Sequence, residues 1–456
     1  MVYKDKEEIL NNEIVKEVGG EIQIYDLNLF RTKMIDNLID TIVLSESPYI
    51  KKICYWVSYE AALKWGIIPS SIQSLYEARA IHSLTHFTVP AINLRTLTFD
   101  LARAVFRAAK KLDAGTFIFE IAKSEIGYTD QRPWEYTSLI LLAGIKEEFK
   151  GPIFLQGDHF QVKAKNFHQD RDKEISQLKD LIREAISAGF YNIDIDSSTL
   201  VDLSQPTIDA QQSLNYQVCA LLTEFIRSLQ PKGIEISVGG EIGEVGGKNS
   251  TPEELHSFMK GYLAQIKGIK GISKISIQTG TTHGGVVLPD GSIAKVKIDF
   301  DTLKLLSEIA RRDYKMAGAV QHGASTLPNE AFHRFPEVGC AEIHLATQFQ
   351  NIVYDYLPLS LKEEIYTWLN GNCAEERKPD WTDDQFIYKT RKKALGPFKK
   401  EIYSIPRELR EKISNVLEKE FLFLFEQLRI HNTRDIIEAY IHPVVIKKEK
   451  SIFNKN

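Results

Sequence analysis

The sequence predicts an α/β protein built on a TIM (β/α)8 barrel, with a helical extension at each end. Between residues 86 and 350, eight apolar segments of strand length alternate with amphipathic segments of helix length. That number of strands and that length of chain are typical of a TIM barrel. Polar and glycine-rich residues follow the apolar segments, at the end of the strands where such barrels place their functional residues. A doubly wound open sheet would also give alternating strands and helices, and it is the competing fold.

Each predicted strand is a short apolar stretch that ends in polar or small residues. The eight strands are predicted over residues 87–94, 115–122, 153–160, 192–198, 235–243, 274–283, 317–321 and 340–346. The helices are predicted over residues 97–112, 133–149, 170–188, 206–229, 252–266 and 299–311. The helix at 252–266 has a well-defined start, because Ser250 or Thr251 can cap it and Pro252 suits its first turn.

The two ends of the chain have a helical pattern. Near the amino terminus, apolar residues recur with helical spacing, as at Phe30, Met34 and Leu38. After residue 351 the chain is charged, and a long amphipathic helix is predicted beyond Pro406. We therefore divide the chain into a helical N-terminal extension (1–85), the barrel (86–350) and a helical C-terminal extension (351–456). The last could pack on the barrel or on a second subunit, and we expect a homodimer.

The composition is that of a soluble globular protein. Of the 456 residues, 43% are hydrophobic and 26% are charged. The net charge of -4 gives no electrostatic reason to expect a nucleic-acid or anionic-membrane partner. The chain shows neither a secretory signal nor the run of about 20 apolar residues that a membrane helix needs. Its four cysteines are widely spaced, which favours a reducing compartment. We expect a cytoplasmic protein with a small-molecule substrate.

Three predicted strands end in a histidine: His159, His283 and His322. If the strands belong to one barrel, their imidazoles lie along one rim, and three histidines are the ligands of a catalytic zinc with an open fourth position. Another divalent metal would also fit this set. A single buried histidine is usually structural, and we expect that role or a solvated one for the histidines on helices and loops, which are His82, His86, His168, His256, His333, His431 and His442.

Three carboxylates also lie at predicted strand ends. Asp158 precedes His159, so on a regular strand the two side chains would point to opposite faces, although a bend could bring both to the rim. Asp158 could be a general base beside the metal, or it could only orient His159. Asp196 and Glu241 could touch the metal or its ligands.

Small and hydroxylated residues follow the last three predicted strands. Gly284, Gly323, Ser325 and Thr347 offer backbone amides and hydroxyls, which suit a phosphate group. TIM barrels often bind phosphate after their last strands. The glycines could instead serve only to allow tight turns.

The motifs, taken in order, resemble the class II, metal-dependent ketose-bisphosphate aldolases. The resemblance covers residues 86–350. The matching segments are Val89-Pro-Ala-Ile-Asn93, Asp158-His159, Ile195-Asp-Ser-Ser198, Glu241-Ile-Gly-Glu-Val-Gly-Gly247, Gly280-Thr-Thr-His-Gly284 and His322-Gly-Ala-Ser325.

This resemblance implies a role for each matched residue. The three histidines would hold zinc, with Glu241 and Asp196 supporting the metal site. Asp158 would move a proton on the substrate hydroxyl whose loss breaks a carbon-carbon bond. The residues assigned to the substrate and its phosphate are Asn93, Gly284, Gly323, Ser325 and Thr347. The implied substrate is a ketose or ketose phosphate, and zinc would stabilise the charge of its enediolate.

The sequence departs from the family's pattern at the groups that handle the second proton. The family's mobile acidic loop is missing, because Gly247 is followed closely by the predicted helix at 252–266. An Asn of the family's last strand is His344 here, and a Gln of its second strand is Glu120. Either residue could be the substitute acid-base group, or both could be packing residues. A sugar epimerase and a non-catalytic aldolase partner subunit are the alternatives to an aldolase.

Overall fold

The computed structural model describes residues 1–82, 84–243, 248–280, 287–289 and 298–454. Its strands β1 to β11 are Val15–Val18, Glu21–Ile24, Ile67–Ser70, Val89–Asn93, Ile118–Ala122, Gly151–Gln161, Asn192–Asp196, Ser237–Glu241, Lys274–Ile277, Ala319–Gln321 and Glu342–Leu345. Strands β4 to β11 pair in chain order, all parallel, and β11 pairs with β4. The eight strands therefore form a closed barrel, which confirms the predicted TIM fold and excludes the open sheet.

Helices surround this barrel. Helices α1 to α10 are Lys6–Leu10, Leu27–Leu29, Ile35–Leu44, Pro48–Trp65, Gln73–His82, Thr98–Lys111, Lys123–Thr129, Pro133–Lys146, Ala164–Gln169 and Arg171–Ser187. Helices α11 to α20 are Ile208–Leu229, Pro252–Gln265, Phe300–Tyr314, Arg334–Glu337, Thr347–Tyr356, Leu359–Asn372, Asp383–Thr390, Lys399–Tyr403, Arg407–Gln427 and Arg434–Tyr440. A π-helical segment lies at Phe30–Met34, and 3-10 turns lie at Ser198–Leu200, Asn329–Ala331, Ala374–Glu376, Arg391–Ala394 and Lys450–Phe453. Within the described residues, no helix combines the length and the apolar character needed to cross a membrane.

The N-terminal region contains strands that the sequence analysis missed. Strands β1 and β2 form an antiparallel hairpin. Strand β3 pairs in parallel with the first part of β6, from Ile67 opposite Gly151 to Ser70 opposite Phe154. Strand β7 pairs with β6 only from Gln156 onward, so β3 satisfies backbone groups that would otherwise be unpaired. The region before the barrel is thus mostly helical but also extends the barrel sheet by one strand.

The long C-terminal helix α19 packs on barrel helix α6. Its residues Ile413 and Leu417 are fully buried, as the predicted apolar face requires. Polar contacts accompany them: Arg107 Nε is 2.5 Å from Glu418 Oε2, and Ser414 Oγ donates to the Asp100 carbonyl at 2.7 Å. Of the two packing surfaces that the sequence left open for this helix, the chain's own barrel is the one that it covers.

The C-terminal tail places Lys448 between three aromatic rings. Its ammonium lies 5.1 Å from the ring centroid of Tyr59, 5.9 Å from that of Trp134 and 5.7 Å from that of Tyr191. Burial lowers the pKa of Lys448 to about 8. The charged lysine therefore costs the folded state free energy at neutral pH.

This cost predicts a pH dependence of stability. Between pH 8 and roughly 10.4, the unfolded chain keeps the Lys448 proton that the folded chain has lost, so the folded state gains stability as pH rises. Below pH 8 both states hold the proton, and the cost is present in full. Relative to Lys448→Met, the wild type should gain on the order of 2 kcal/mol of unfolding free energy between pH 7.5 and 10. Urea unfolding of both proteins at the two pH values measures this gain. The expectation would be contradicted if the difference in unfolding free energy between wild type and variant were the same at both pH values.

Candidate active site

A bulge at the end of β6 turns two adjacent side chains toward the mouth of the barrel. The pairing of β6 with β7 shifts register between Gly157 and Phe160, and His159 has a φ of 38°. Gly157 permits the bulge, because a Cβ there would lie 2.5 Å from the Phe160 ring. Asp158 and His159 therefore both line the pocket at this end of the barrel. The bend that the sequence analysis considered is present.

Two carboxylates face His159 on one side. Its Nδ1 lies 3.1 Å from Asp196 Oδ2 and 3.2 Å from Glu241 Oε2. Burial alone would lower the pKa of His159, but Asp158, Glu241 and Asp196 outweigh it and raise that pKa well above its ordinary value. The structure thus brings the two predicted supporting carboxylates into contact with this histidine.

His322 follows β10 and lies beside His159. Their ring centroids are 4.1 Å apart. His322 Nε2 is 2.9 Å from Ser276 Oγ on β9, and His322 Nδ1 is 3.9 Å from Asp158 Oδ1. Its ring also lies 4.0 Å from the ring of His344, so three imidazoles form a row across the barrel mouth.

These side chains fit a divalent metal. Among the described residues, one potential ligand atom from each of His159, Glu241 and His322 lies within 4.8 Å of the others. Two imidazole nitrogens and one carboxylate oxygen are ligands that zinc takes in catalytic sites. The third predicted histidine, His283, and the glycine Gly284 lie outside the described residues.

His344 lies on β11 in the middle of a group of carboxylates. Its Nδ1 is 3.1 Å from both Asp158 Oδ1 and Glu120 Oε2, and its Nε2 is 2.7 Å from Glu342 Oε1. Burial alone would lower the pKa of His344, but Glu120 and Asp158 raise it well above its ordinary value. Burial, helped by the Asp158 charge, raises the pKa of Glu120 to about 8. His344 Nδ1 therefore lies within hydrogen-bond distance of both Asp158 and Glu120.

Below the pocket, alternate strands contribute charged side chains to the barrel interior. Strands β5, β7, β9 and β11 supply Glu120, Asp194, Lys274 and Glu342, which we call the charged layer. In most barrels such positions hold branched aliphatic residues. Lys274 Nζ lies 2.5 Å from Glu342 Oε1 and 2.9 Å from Asp194 Oδ2, so one cation is paired with two of these carboxylates. Gln156 Nε2 donates to Glu120 and to Glu342, at 3.0 and 2.7 Å.

Gly239 on β8 leaves room for the charged layer. A Cβ at this position would lie 2.3 Å from Asp194 Oδ1 and 3.0 Å from Lys274 Cε. We expect Gly239→Ala to lower the unfolding free energy by about 1–3 kcal/mol, because it displaces a buried ion pair. Gly127→Ala is the control, since nothing lies within 4 Å of that site. Denaturant unfolding of both variants tests this expectation. It would be contradicted if Gly239→Ala were as stable as Gly127→Ala.

The pocket at the barrel mouth has a volume of about 270 Å³. The predicted substrate residues Asn93, Gly323, Ser325 and Thr347 all line it. Ser325 Oγ accepts a hydrogen bond from the Thr347 backbone N–H at 3.0 Å. These groups share the pocket with the imidazole row and Asp158.

Cationic side chains that the sequence analysis did not single out also line the pocket. Arg95 Nε lies 2.6 Å from Glu125 Oε1, and its Nη1 donates to Thr347 Oγ1 at 3.3 Å. Lys392, from the 3-10 turn Arg391–Ala394, reaches the same pocket from the C-terminal region. Arg95 had a signal in the sequence, because it follows the matched Asn93 by two residues. Lys392 had none, because it lies far from every barrel motif.

The fold and this site define a class of protein: a TIM barrel with a candidate metal-dependent active site at the C-terminal ends of its strands. The sequence family described as fructose-bisphosphate aldolase class-II matches residues 75–418. The chain belongs to that family.

Solved structures resemble the chain at low sequence identity. One is a fructose-bisphosphate aldolase from Campylobacter jejuni, at 17% identity and a TM-score of 0.49, over 80% of this chain and 97% of that one. The YdjI aldolase from Escherichia coli K12 has 14% identity and a TM-score of 0.48, over 79% of this chain and 98% of that one. A probable tagatose 6 phosphate kinase from Sinorhizobium meliloti 1021 has 14% identity and a TM-score of 0.51, over 80% of this chain and 96% of that one. The match with a TM-score of 0.51, at 14% identity, concerns the fold alone.

Proposed function

We propose that the chain is a class II type aldolase that cleaves or forms a carbon-carbon bond in a ketose phosphate or bisphosphate, using a bound zinc ion. The observation that carries the proposal is the meeting of Asp158, His159, His322 and His344 in one pocket at the barrel mouth. Membership of the aldolase family supports the same reaction class.

In this proposal the metal is held by His159, His322 and Glu241, with His283 as a further ligand. Asp196 lies 3.1 Å from His159 Nδ1 and orients that imidazole, as carboxylates do for metal-bound histidines. When bound, a zinc ion would supply Lewis-acid stabilisation of the negative charge that develops at the substrate carbonyl. Gly323, Ser325 and Thr347, together with Gly284, hold the phosphate of the substrate.

Asp158 is the base that takes the proton from the substrate hydroxyl, since its side chain lines the pocket beside the imidazole row. Loss of that proton turns the carbon-oxygen bond into a carbonyl as the adjacent carbon-carbon bond breaks. The other carbon of the broken bond keeps the electron pair and then needs a proton. His344 is the group that we assign to this step, because its Nδ1 lies 3.1 Å from Asp158 Oδ1 and faces the pocket.

The role of His344 follows from the short connection between β8 and α12. That connection runs only from residue 242 to residue 251, because α12 starts at Pro252 under a cap from Thr251. Residues 242–251 are too few for the long acidic loop of the family's pattern, which supports an acid-base role for His344. Glu120, 3.1 Å from His344 Nδ1, exchanges protons with this imidazole.

The same short connection favours a second candidate function, a zinc-dependent sugar epimerase. An enzyme that cleaves and re-forms one bond without releasing the fragments needs no separate loop acid. One assay separates the two functions. Incubation of the zinc-loaded protein with a panel of ketoses and their phosphates, followed by 13C NMR, should show two carbonyl fragments. Interconverted sugars without free fragments would favour the epimerase, and no change in any sugar would contradict both.

A further inference from the structure

Both carboxylate oxygens of Glu342 are held in the charged layer. Lys274 Nζ lies 2.5 Å from Oε1, and the Tyr76 hydroxyl donates to Oε2. All three side chains are buried, with exposed fractions of 1% or less. Burial raises the pKa of Glu342, but Lys274 and His344 outweigh it, so that this pKa is lowered. Glu342 is therefore a fixed carboxylate with little freedom to rotate.

Glu342 in turn determines the orientation of the His344 ring. His344 Nε2 is 2.7 Å from Glu342 Oε1, so it donates a proton to that oxygen. With Nε2 directed down into the barrel, Nδ1 is directed up, to within 3.1 Å of Asp158 Oδ1. If the ring were flipped about its Cβ–Cγ bond, the carbons Cε1 and Cδ2 would replace Nε2 and Nδ1, and the contacts with Glu342 and Asp158 would both be lost.

We propose that Glu342, held by Lys274 and Tyr76, is a positioning residue that fixes His344 with Nδ1 toward Asp158. This inference rests on the proposed function, in which His344 handles the second proton. It also gives a role to His344, which stands where the family's pattern has an Asn. Asp194 also pairs with Lys274, but its Oδ2 is 3.8 Å from His344 Nε2, too far for a hydrogen bond that would orient the ring.

A stability role alone explains the charged layer poorly. Buried ion pairs cost desolvation, and well-packed apolar residues of similar volume often stabilise a protein equally well or better. An apolar layer could not accept a hydrogen bond from His344. The carboxylate of Glu342 supplies that acceptor, and Lys274 and Tyr76 keep it in place.

The test compares Glu342→Gln with Asp194→Asn, because both remove one negative charge from a partner of Lys274. For Glu342→Gln we expect kcat for carbon-carbon cleavage to fall 10- to 100-fold with KM within threefold of wild type. The crystal structure of this variant should show the His344 ring turned, with Nδ1 no longer within 3.5 Å of Asp158. Asp194→Asn should keep the ring in place and kcat within threefold.

Three results would overturn the inference: an unturned ring in Glu342→Gln, an unchanged kcat, or equal losses in both variants. If Glu342→Gln does not fold, the double replacement of Lys274 and Glu342 by Met removes both charges at similar volume and should turn the ring in the same way. Failure of the proposed function is a separate outcome. If the wild type cleaves no ketose, the ring orientation in the variants still decides whether Glu342 positions His344.

Discussion

Replacement of Asp158 by Asn is expected to lower kcat for ketose cleavage about 1,000-fold or more, with KM changed less than fivefold. The amide has the shape of the carboxylate but cannot take the hydroxyl proton, and positioned general bases contribute roughly 100- to 10,000-fold. The effect should be at the upper end because Asp158 is also 3.1 Å from His344 Nδ1, so one change disturbs both proton transfers.

The control for this variant is Asp180→Asn on α10. The Asp180 carboxylate is 69% exposed and pairs only with Arg183 among the contacts described for it. Steady-state kinetics should find the control within twofold of wild type. If Asp158→Asn keeps more than a tenth of the wild-type kcat, Asp158 is not the base, and its role is to orient its histidine neighbours.

Replacement of both His159 and His322 by Ala is expected to reduce zinc affinity more than 100-fold and to abolish cleavage. The two imidazoles are neighbours, with ring centroids 4.1 Å apart, and both belong to the candidate ligand set. Loss of two ligands leaves a coordination sphere that water completes poorly. Competition with a chromophoric chelator measures the zinc affinity directly, without reference to activity.

His256→Ala is the matched control for the histidine variants. His256 lies exposed on α12, with its Nδ1 2.6 Å from the Tyr314 hydroxyl and no part in the pocket. This variant should bind zinc as the wild type does. Retention of wild-type zinc affinity in the double variant would show that the metal assignment is wrong.

The barrel could be predicted from the sequence because its strands are short segments, most of them rich in apolar residues, that alternate regularly with helices. The predicted bounds differ from the observed ones by a few residues, as for the strand predicted over 153–160, which spans Gly151–Gln161. Strand β3 was missed because it has four residues, contains Pro69 and depends on a distant partner, β6. The β1–β2 hairpin did have a local signal, a Gly19-Gly20 turn between two alternating segments.

The charged layer could not be predicted in the same way. In β7, Asn192, Asp194 and Asp196 alternate with isoleucines, and such alternation usually indicates a strand with one face in water. In a closed barrel both faces are buried, so the polar side chains point inward. Only the register of all eight strands shows that Asp194 meets Lys274 and that Glu342 lies below His344.

The candidate site was predictable where its residues lie at strand ends. Asp158, His159, His322 and His344 are all brought to one pocket, together with Glu120. The roles assigned to them, and to Glu241 and Asp196, stay predictions. Lys392 could not be found, since the turn that carries it reaches the pocket only through the packing of the C-terminal region.

Elemental analysis of the wild-type protein, purified without chelators, measures its metal content and so tests the proposed metal site. We expect about one zinc per chain and, on the same sample, the release of two carbonyl fragments from a ketose phosphate. Absence of any bound divalent metal, in a sample that also fails to take up added zinc, would contradict the assignment of His159, His322 and Glu241 as a metal site.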